Sequence, residues 1–316
     1  MLYNNILETI GKTPLVRLNK ISAHLNCSVY VKCEFFNPGG SVKDRIAYNM
    51  ICKAEKEGLI QKGDTLIEPT SGNTGVGIAL AGAVLGYKTI IIMPEKMSQE
   101  KEVTLRALGA EIRRTPTDVA WDHKDSHISL ARRLVKELPR AFILDQYANP
   151  HNVSAHYEGT AVEILNDLNQ QVDMIVAGAG TGGTLTGLSR KIKEVCPACE
   201  IIGVDPLGSI LAGEGPVHPY EVEGIGYDFI PEVLDRSRVT EWVKTTDKEA
   251  FYNVKKLIRE EGILAGGSSG SVITALLKTA PRLKKGQTCV AILPDGIRNY
   301  MSKFLNNEWM KEKQFN

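Results

Sequence analysis

Asp173-Met174-Ile175-Val176-Ala177-Gly178-Ala179-Gly180-Thr181-Gly182-Gly183-Thr184 runs from an apolar stretch into a glycine-rich turn, and a helical pattern follows. Glycines let the backbone turn sharply and leave helix-start N–H groups facing an anion. The two threonines add hydroxyl donors. Strand, loop and helix in that order predict an α/β fold with a phosphate cradle in the loop 178–184. The bland alternative is a tight strand-to-helix turn with no ligand.

Outward from this stretch the same alternation recurs. Thr65-Leu66-Ile67-Glu68 precedes a helical pattern over 74–85 stopped by Gly86, and Thr89-Ile90-Ile91-Ile92-Met93 precedes one over 98–108 stopped by Gly109. Phe142-Ile143-Leu144, Ile201-Ile202-Gly203-Val204 and Cys289-Val290-Ala291-Ile292-Leu293 are further apolar runs, each beside a helical stretch. Continuous apolar strands between helices predict parallel sheets covered on both faces. Residues 207–231, rich in Gly and Pro, read as a mobile loop over a site.

The bulk numbers fit one large or two medium domains. The chain has 316 residues, 43% of them hydrophobic and 24% charged, enough for a sizeable core. Lys+Arg 38 against Asp+Glu 37 gives no field that would recruit nucleic acid or an anionic membrane. No apolar run is long enough to span a bilayer, and Met1-Leu2-Tyr3-Asn4-Asn5-Ile6 lacks the pattern of a signal peptide, so a cytoplasmic location is expected. Among six cysteines only Cys196-Pro-Ala-Cys199 is suggestively spaced. Without a second pair it makes no zinc site, and no metal is expected; two idle thiols or a redox pair remain.

Gly39-Gly40-Ser41-Val42-Lys43-Asp44-Arg45 puts a lysine in the first turn of a predicted helix. The positive end of a helix favours a neutral amine over ammonium, the form a lysine needs to bond an aldehyde cofactor. Alone, the motif is compatible with an ordinary lysine in a turn. Two more helix-start loops accompany it. Glu68-Pro69-Thr70-Ser71-Gly72-Asn73-Thr74-Gly75 would suit a carboxylate plus a ring oxygen. Gly266-Gly267-Ser268-Ser269-Gly270-Ser271 offers a serine to a ring nitrogen. Either could be simple capping. Together they suit a small phosphorylated ring cofactor and a carboxylate-bearing substrate.

One rival uses the same glycines. Gly178-x-Gly180-x-x-Gly183, with Asp205 ending the next predicted strand, satisfies the dinucleotide fingerprint of an NAD-dependent dehydrogenase. That reading leaves Lys43 and the two other loops without a task.

The set Thr13-Pro14-Leu15, GGSVKDR (39–45), PTSGNTG (69–75), GTGGT (180–184) and GGSSG (266–270) resembles the β-family, fold type II, pyridoxal-phosphate enzymes of the cysteine synthase/cystathionine β-synthase group. The resemblance runs in order from about Thr13 to the end. It implies two open, mostly parallel twisted sheets flanked by helices, like the tryptophan synthase β-subunit. Residues 1–12 and 36–147 would form a smaller domain, with 13–35 and 148–316 forming a larger cofactor-binding one. It implies Lys43 as the Schiff-base lysine and general base, Asn73 on the cofactor's 3′-oxygen, 180–184 on its phosphate and Ser268 on its pyridine nitrogen. Thr70, Ser71, Thr74 and Gln146 would hold the substrate carboxylate. Tyr147, Gly226 and Tyr227 would shape the second-substrate site.

Within the family, residues 94–98, Asp145-Gln146-Tyr147, residues 220–229 and DGIRNYMSKF (295–304) are closer to cystathionine β-synthases than to cysteine synthases. The implied reaction joins serine to homocysteine to give cystathionine and water. Cysteine synthesis from O-acetylserine and sulfide is the alternative. A homodimer taking small amino-acid substrates is expected. No haem and no regulatory domain pair are expected, since 12 residues precede Thr13 and seven follow Trp309. A non-catalytic sensor on this fold is a third reading, which the intact Lys43 opposes.

Overall fold

β-Branched residues packed on both faces of two sheets organise the chain. The computed structural model describes residues 2–70, 72–95, 99–116, 119 and 123–315. Ser71, Lys96, Met97 and Ser98, all part of the sequence reading, lie outside the described residues. In chain order the strands and helices are β1 (Leu15–Arg17), β2 (Ser28–Cys33), α1 (Lys43–Lys56), β3 (Thr65–Pro69), α2 (Asn73–Leu85), β4 (Lys88–Pro94) and α3 (Gln99–Ala107). There follow β5 (Glu111–Thr115), α4 (His127–Glu137), β6 (Ala141–Ile143), α5 (Pro150–Ala155), α6 (Ala161–Asp167), β7 (Met174–Gly178), α7 (Gly183–Val195) and β8 (Glu200–Pro206). The chain closes with β9 (Glu241–Thr245), α8 (Asp247–Glu261), α9 (Gly267–Thr279), β10 (Thr288–Leu293) and α10 (Asn307–Glu312).

The chain divides into two compact units, Met1–Ile10 with Asn37–Asn152, and Gly11–Phe36 with Val153–Asn316. The first holds a parallel sheet in the order β5-β4-β3-β6. Its strand residues alternate between two clusters. Ile91 and Met93 pack with Val76 and Ala79 of α2 and Leu105 of α3, whereas Ile90 and Ile92 pack with Ala131 of α4. Alternation over two faces is what a strand's period of two requires when helices cover both. α2 ends at Gly86 with left-handed backbone, the stop its sequence announced.

The second unit holds a sheet in the order β1-β2-β10-β7-β8-β9, parallel except for β1, which runs antiparallel to β2. Met174 and Val176 face α8 and α9, while Ile175 and Ala177 face α6 and α7. Each fully buried aliphatic side chain contributes about 1.5–3 kcal/mol, so the two-faced core carries the unit. β2 contains Lys32, 1% exposed, whose ammonium bonds the Thr13 carbonyl at 2.6 Å and Glu163 at 2.9 Å. Pairing at both contacts offsets the cost of burying that charge.

Residues 207–231 carry no helix or strand, but the segment is fastened rather than loose. The Asp247 carboxylate accepts the N–H groups of Glu221 and Val222 at 2.8 and 3.0 Å. Glu223 pairs with Lys303, Glu221 with Lys313, and Val222 and Ile225 are buried. Among the described residues no cluster could hold a metal ion, and no helix is long and apolar enough to cross a membrane. Cys196 and Cys199 are free thiols, and burial pushes the Cys199 thiol up, away from the reactive thiolate.

Candidate active site

In the first unit the turn before α1 is set by Asp44. Its carboxylate accepts the Gly39 N–H at 2.6 Å and fills the space where a side chain on residue 39 would lie. Gly40 closes the turn through a bond from its N–H to the Asn37 carbonyl at 2.8 Å. The Lys43 N–H donates to the Ser41 hydroxyl at 3.1 Å. Half-buried Lys43 thus heads α1, as its sequence predicts, over the buried Ile46, Ala47 and Met50.

The loop between β3 and α2 gathers the candidate carboxylate-binding residues that are described. Thr70 is buried; its N–H donates to the Ile92 carbonyl at 3.0 Å, and its hydroxyl accepts the Gly72 N–H at 3.3 Å. Asn73 opens α2, and the Thr74 hydroxyl donates to the Gln146 side-chain oxygen at 2.6 Å. Gln146 is held in turn by Asn152, which donates to its carbonyl at 2.7 Å, and by Glu68, which accepts its N–H at 3.3 Å. Tyr147 follows, its N–H on the Asp145 carboxylate at 3.1 Å.

Glu68 is a residue whose role the sequence reading missed. It is fully buried, and its Oε2 has no hydrogen-bond partner among the described residues. Burial pushes its carboxyl up to about 8, the Asp145 charge adds to this, and the Gln146 N–H pulls the other way. The signal was available: a carboxylate ending an apolar strand needs an explanation.

In the second unit the phosphate-cradle sequence takes the predicted strand–loop–helix form. Gly182 precedes α7 with φ of 90° and no side chain caps the helix start, so its first N–H groups are open to an anion. The buried Thr181 and the half-buried Thr184 add hydroxyls. The 224–226 segment lies against the same loop: Gly226 N–H donates to the Ala179 carbonyl at 2.7 Å. A Cβ on Gly178 would stand 2.7 Å from Ile225 Cγ2, and one on Gly180 2.6 Å from the Gly224 carbonyl oxygen. Close packing by a neighbouring loop therefore explains two of the three fingerprint glycines.

The acidic partner of that fingerprint is engaged elsewhere. Asp205 is buried, ion-paired with Lys244 at 2.9 Å, and accepts the Ala212 N–H at 2.9 Å. Both contacts are to Oδ2, and Oδ1 has no partner among the described residues, so Asp205 has a structural task that needs no ribose. Tyr227 is half-buried; its N–H donates to the Ser209 hydroxyl at 3.0 Å and its ring lies 5.2 Å from that of Phe229. Ser268, second residue of α9, is buried, and its hydroxyl makes no hydrogen bond among the described residues. α9 also starts at a glycine, Gly266, without a side-chain cap.

Comparison with known proteins shows the family. A cystathionine beta-synthase of Dictyostelium discoideum is 58% identical over 319 residues, covering 100% of this chain and 64% of the relative. The chain thus spans under two thirds of that relative's length. A solved hydrogen sulfide-producing enzyme from Fusobacterium nucleatum is 39% identical with a TM-score of 0.90, over 95% of this chain and 100% of the other. An O-acetylserine dependent cystathionine beta-synthase from Helicobacter pylori is 40% identical with a TM-score of 0.89, over 96% and 98% of the two chains. Residues 6–295, which include every site residue named above, match the family described as "Pyridoxal-phosphate dependent enzyme", and the chain belongs to that family.

Proposed function

We propose that the protein catalyses β-replacement on L-serine by L-homocysteine, breaking the Cβ–O bond and forming a Cβ–S bond to give L-cystathionine and water. The observation that carries this reading is the 58% identity along the whole chain to a protein named for that reaction. The local chemistry fits pyridoxal phosphate. An uncapped helix start with two hydroxyls suits a phosphate dianion, and the Ser268 hydroxyl, without a partner among the described residues, suits a ring nitrogen.

When bound, pyridoxal phosphate supplies the electron sink that makes the substrate Cα proton acidic. Lys43 would hold the cofactor, and its amine would be the base that takes the substrate Cα proton and returns one. Asn73 would meet the cofactor's 3′-oxygen, and residues 180–184 would hold its phosphate. Ser268, a neutral partner, leaves the ring nitrogen less able to store charge than a carboxylate would, which favours elimination at Cβ over transamination. Thr70, Ser71, Thr74 and Gln146 hold the substrate carboxylate; the Thr74–Gln146 hydrogen bond brings two of them together, and the Thr74 proton turns from Gln146 to the carboxylate when substrate binds. Tyr147, Gly226 and Tyr227 shape the site for the thiol. A cytoplasmic homodimer belongs to the same reading and rests on the family resemblance.

A second reading takes O-acetylserine as the donor, the substrate for which the Helicobacter pylori relative is named. Product analysis separates the options when serine or O-acetylserine is offered with homocysteine or sulfide. Cystathionine from serine is the expected result. Cystathionine from O-acetylserine alone would change only the leaving group. Cysteine from O-acetylserine and sulfide, with serine inert, would make the protein a cysteine synthase.

A further inference from the structure

The chain between α5 and α6 does not continue as an α-helix. Residues His156–Thr160 form a π-helical turn. Such turns are rare, cost hydrogen-bond geometry, and occur mostly as single-turn bulges, frequently at functional sites. Here the turn holds His156 at 1% exposure with both ring nitrogens at hydroxyl groups. Nδ1 lies 3.0 Å from Thr160 Oγ1, and Nε2 lies 3.2 Å from Thr184 Oγ1. α7 is brought against the turn by Gly187, where a Cβ would stand 2.6 Å from the Val153 carbonyl oxygen and 2.7 Å from His156 Cβ.

Proton counting gives this contact a direction. A threonine hydroxyl has one proton to donate, and a neutral imidazole has one donor and one acceptor. If Thr184 donated to Nε2, nothing would remain on that hydroxyl for a phosphate oxygen. If Nε2–H donates to Thr184 Oγ1, the Thr184 proton points elsewhere and Nδ1 accepts from Thr160. Hydrogen bonds in such a chain also strengthen one another.

We propose that His156, with its proton on Nε2, is a positioning residue of the phosphate site: it donates to Thr184 and commits the Thr184 hydroxyl proton to the cofactor phosphate. The inference rests on reading residues 180–184 as the phosphate loop.

The test uses the holoenzyme and reads cofactor release on dialysis, the 31P shift of the bound phosphate and the imidazole tautomer by 15N NMR. A hydrogen bond to a charged group contributes enough that Thr184→Val and His156→Leu should each weaken pyridoxal-phosphate retention about 10-fold. Their combination should lose little beyond Thr184→Val alone, because the two act through one contact. His156→Gln, whose amide can donate at a similar reach, should restore part of the retention and of the 31P shift. The unmodified protein should show the Nε2–H tautomer, which keeps the test alive if His156→Leu does not fold.

An Nδ1–H tautomer, additive losses, or a His156→Leu variant with parental release and 31P shift would overturn the proposal. If Thr184→Val alone weakens retention, the phosphate loop stands and only the role of His156 falls. If Thr184→Val leaves retention and the 31P shift unchanged, the phosphate-loop reading falls with it.

Discussion

Helices α8 and α7 begin in opposite ways. α8 starts with a capping box: the Thr246 hydroxyl accepts the Glu249 N–H, and the Glu249 carboxylate accepts the Thr246 N–H. Ser126 and Asn306 cap α4 and α10 in the same spirit. α7, α2 and α9 start at Gly182, Gly72 and Gly266, and among the described residues no side chain caps any of them. A capping side chain is an acceptor the chain provides for itself. Where it is missing, the orphan N–H groups must find water or a ligand. The closed set builds the fold, and the open set coincides with the loops assigned to cofactor and substrate.

The largest effect should come from Lys43→Ala. The variant should melt like the parent, stay colourless with pyridoxal phosphate and turn over no serine. Measurable turnover would remove Lys43 from the chemistry.

Beside the open start of α2, Glu68 offers a pH test. The folded protein holds the Glu68 proton up to about 8, while the unfolded chain releases it near 4.5. Folding therefore binds a proton between those values, and the penalty of burying this carboxyl grows as pH rises through that window and vanishes below it. Glu68→Gln has nothing to titrate. Its urea-unfolding stability should gain on the parent between about pH 5 and pH 8, by several kcal/mol on the scale of roughly 1.4 kcal/mol per unit. A constant difference across that range would show that Glu68 titrates normally.

Gly182→Ala should break an open start directly. A methyl there would stand 2.5 Å from Leu234 Cβ on backbone with φ of 90°. Left-handed strain and overpacking together should cost about 3 kcal/mol in the apoprotein and impair cofactor binding. Gly262 ends α8 with φ of 72° and open space around it. Gly262→Ala should cost only about 1 kcal/mol, from backbone strain, and keep the cofactor. Equal losses in urea melts would mean that Leu234 gives way easily.

Ser268→Ala should lower turnover roughly 10-fold, the loss of about 1.4 kcal/mol in the transition state, while cofactor retention changes less. Unchanged kinetics would reduce Ser268 to a helix-start residue. The smallest effect belongs to the closed set: Thr246→Ala should cost about 1 kcal/mol of stability and leave cofactor affinity alone. Cofactor loss in that variant would blur the contrast between the two sets.

What could be read from the sequence was whatever is local. β3, β4, β7, β8 and β10 are nearly unbroken apolar runs, and each open helix start pairs a glycine with nearby Ser, Thr or Asn a few residues after a strand or turn. β5 and β9 escaped because edge strands need only one apolar side, and Glu111, Arg113 and Arg114 hide the pattern in β5. β2 escaped because Lys32 interrupts it, although a distant Glu163 makes that lysine a core residue. Asp205 was open to misreading for the same reason, since its partner Lys244 lies on another strand. His156 depends on a turn with no period to reveal it and on a hydroxyl from α7.

The glycine loop carries one more consequence. Ile225 and the Gly224 carbonyl, rather than any ligand, occupy the space that side chains at 178 and 180 would need. A dinucleotide fingerprint can thus arise as the imprint of a neighbouring strap, like the recess a latch leaves in a door frame. Refitting this loop for a bulkier ligand would have to begin with the latch, by trimming residue 225, before any change to the frame could be tolerated.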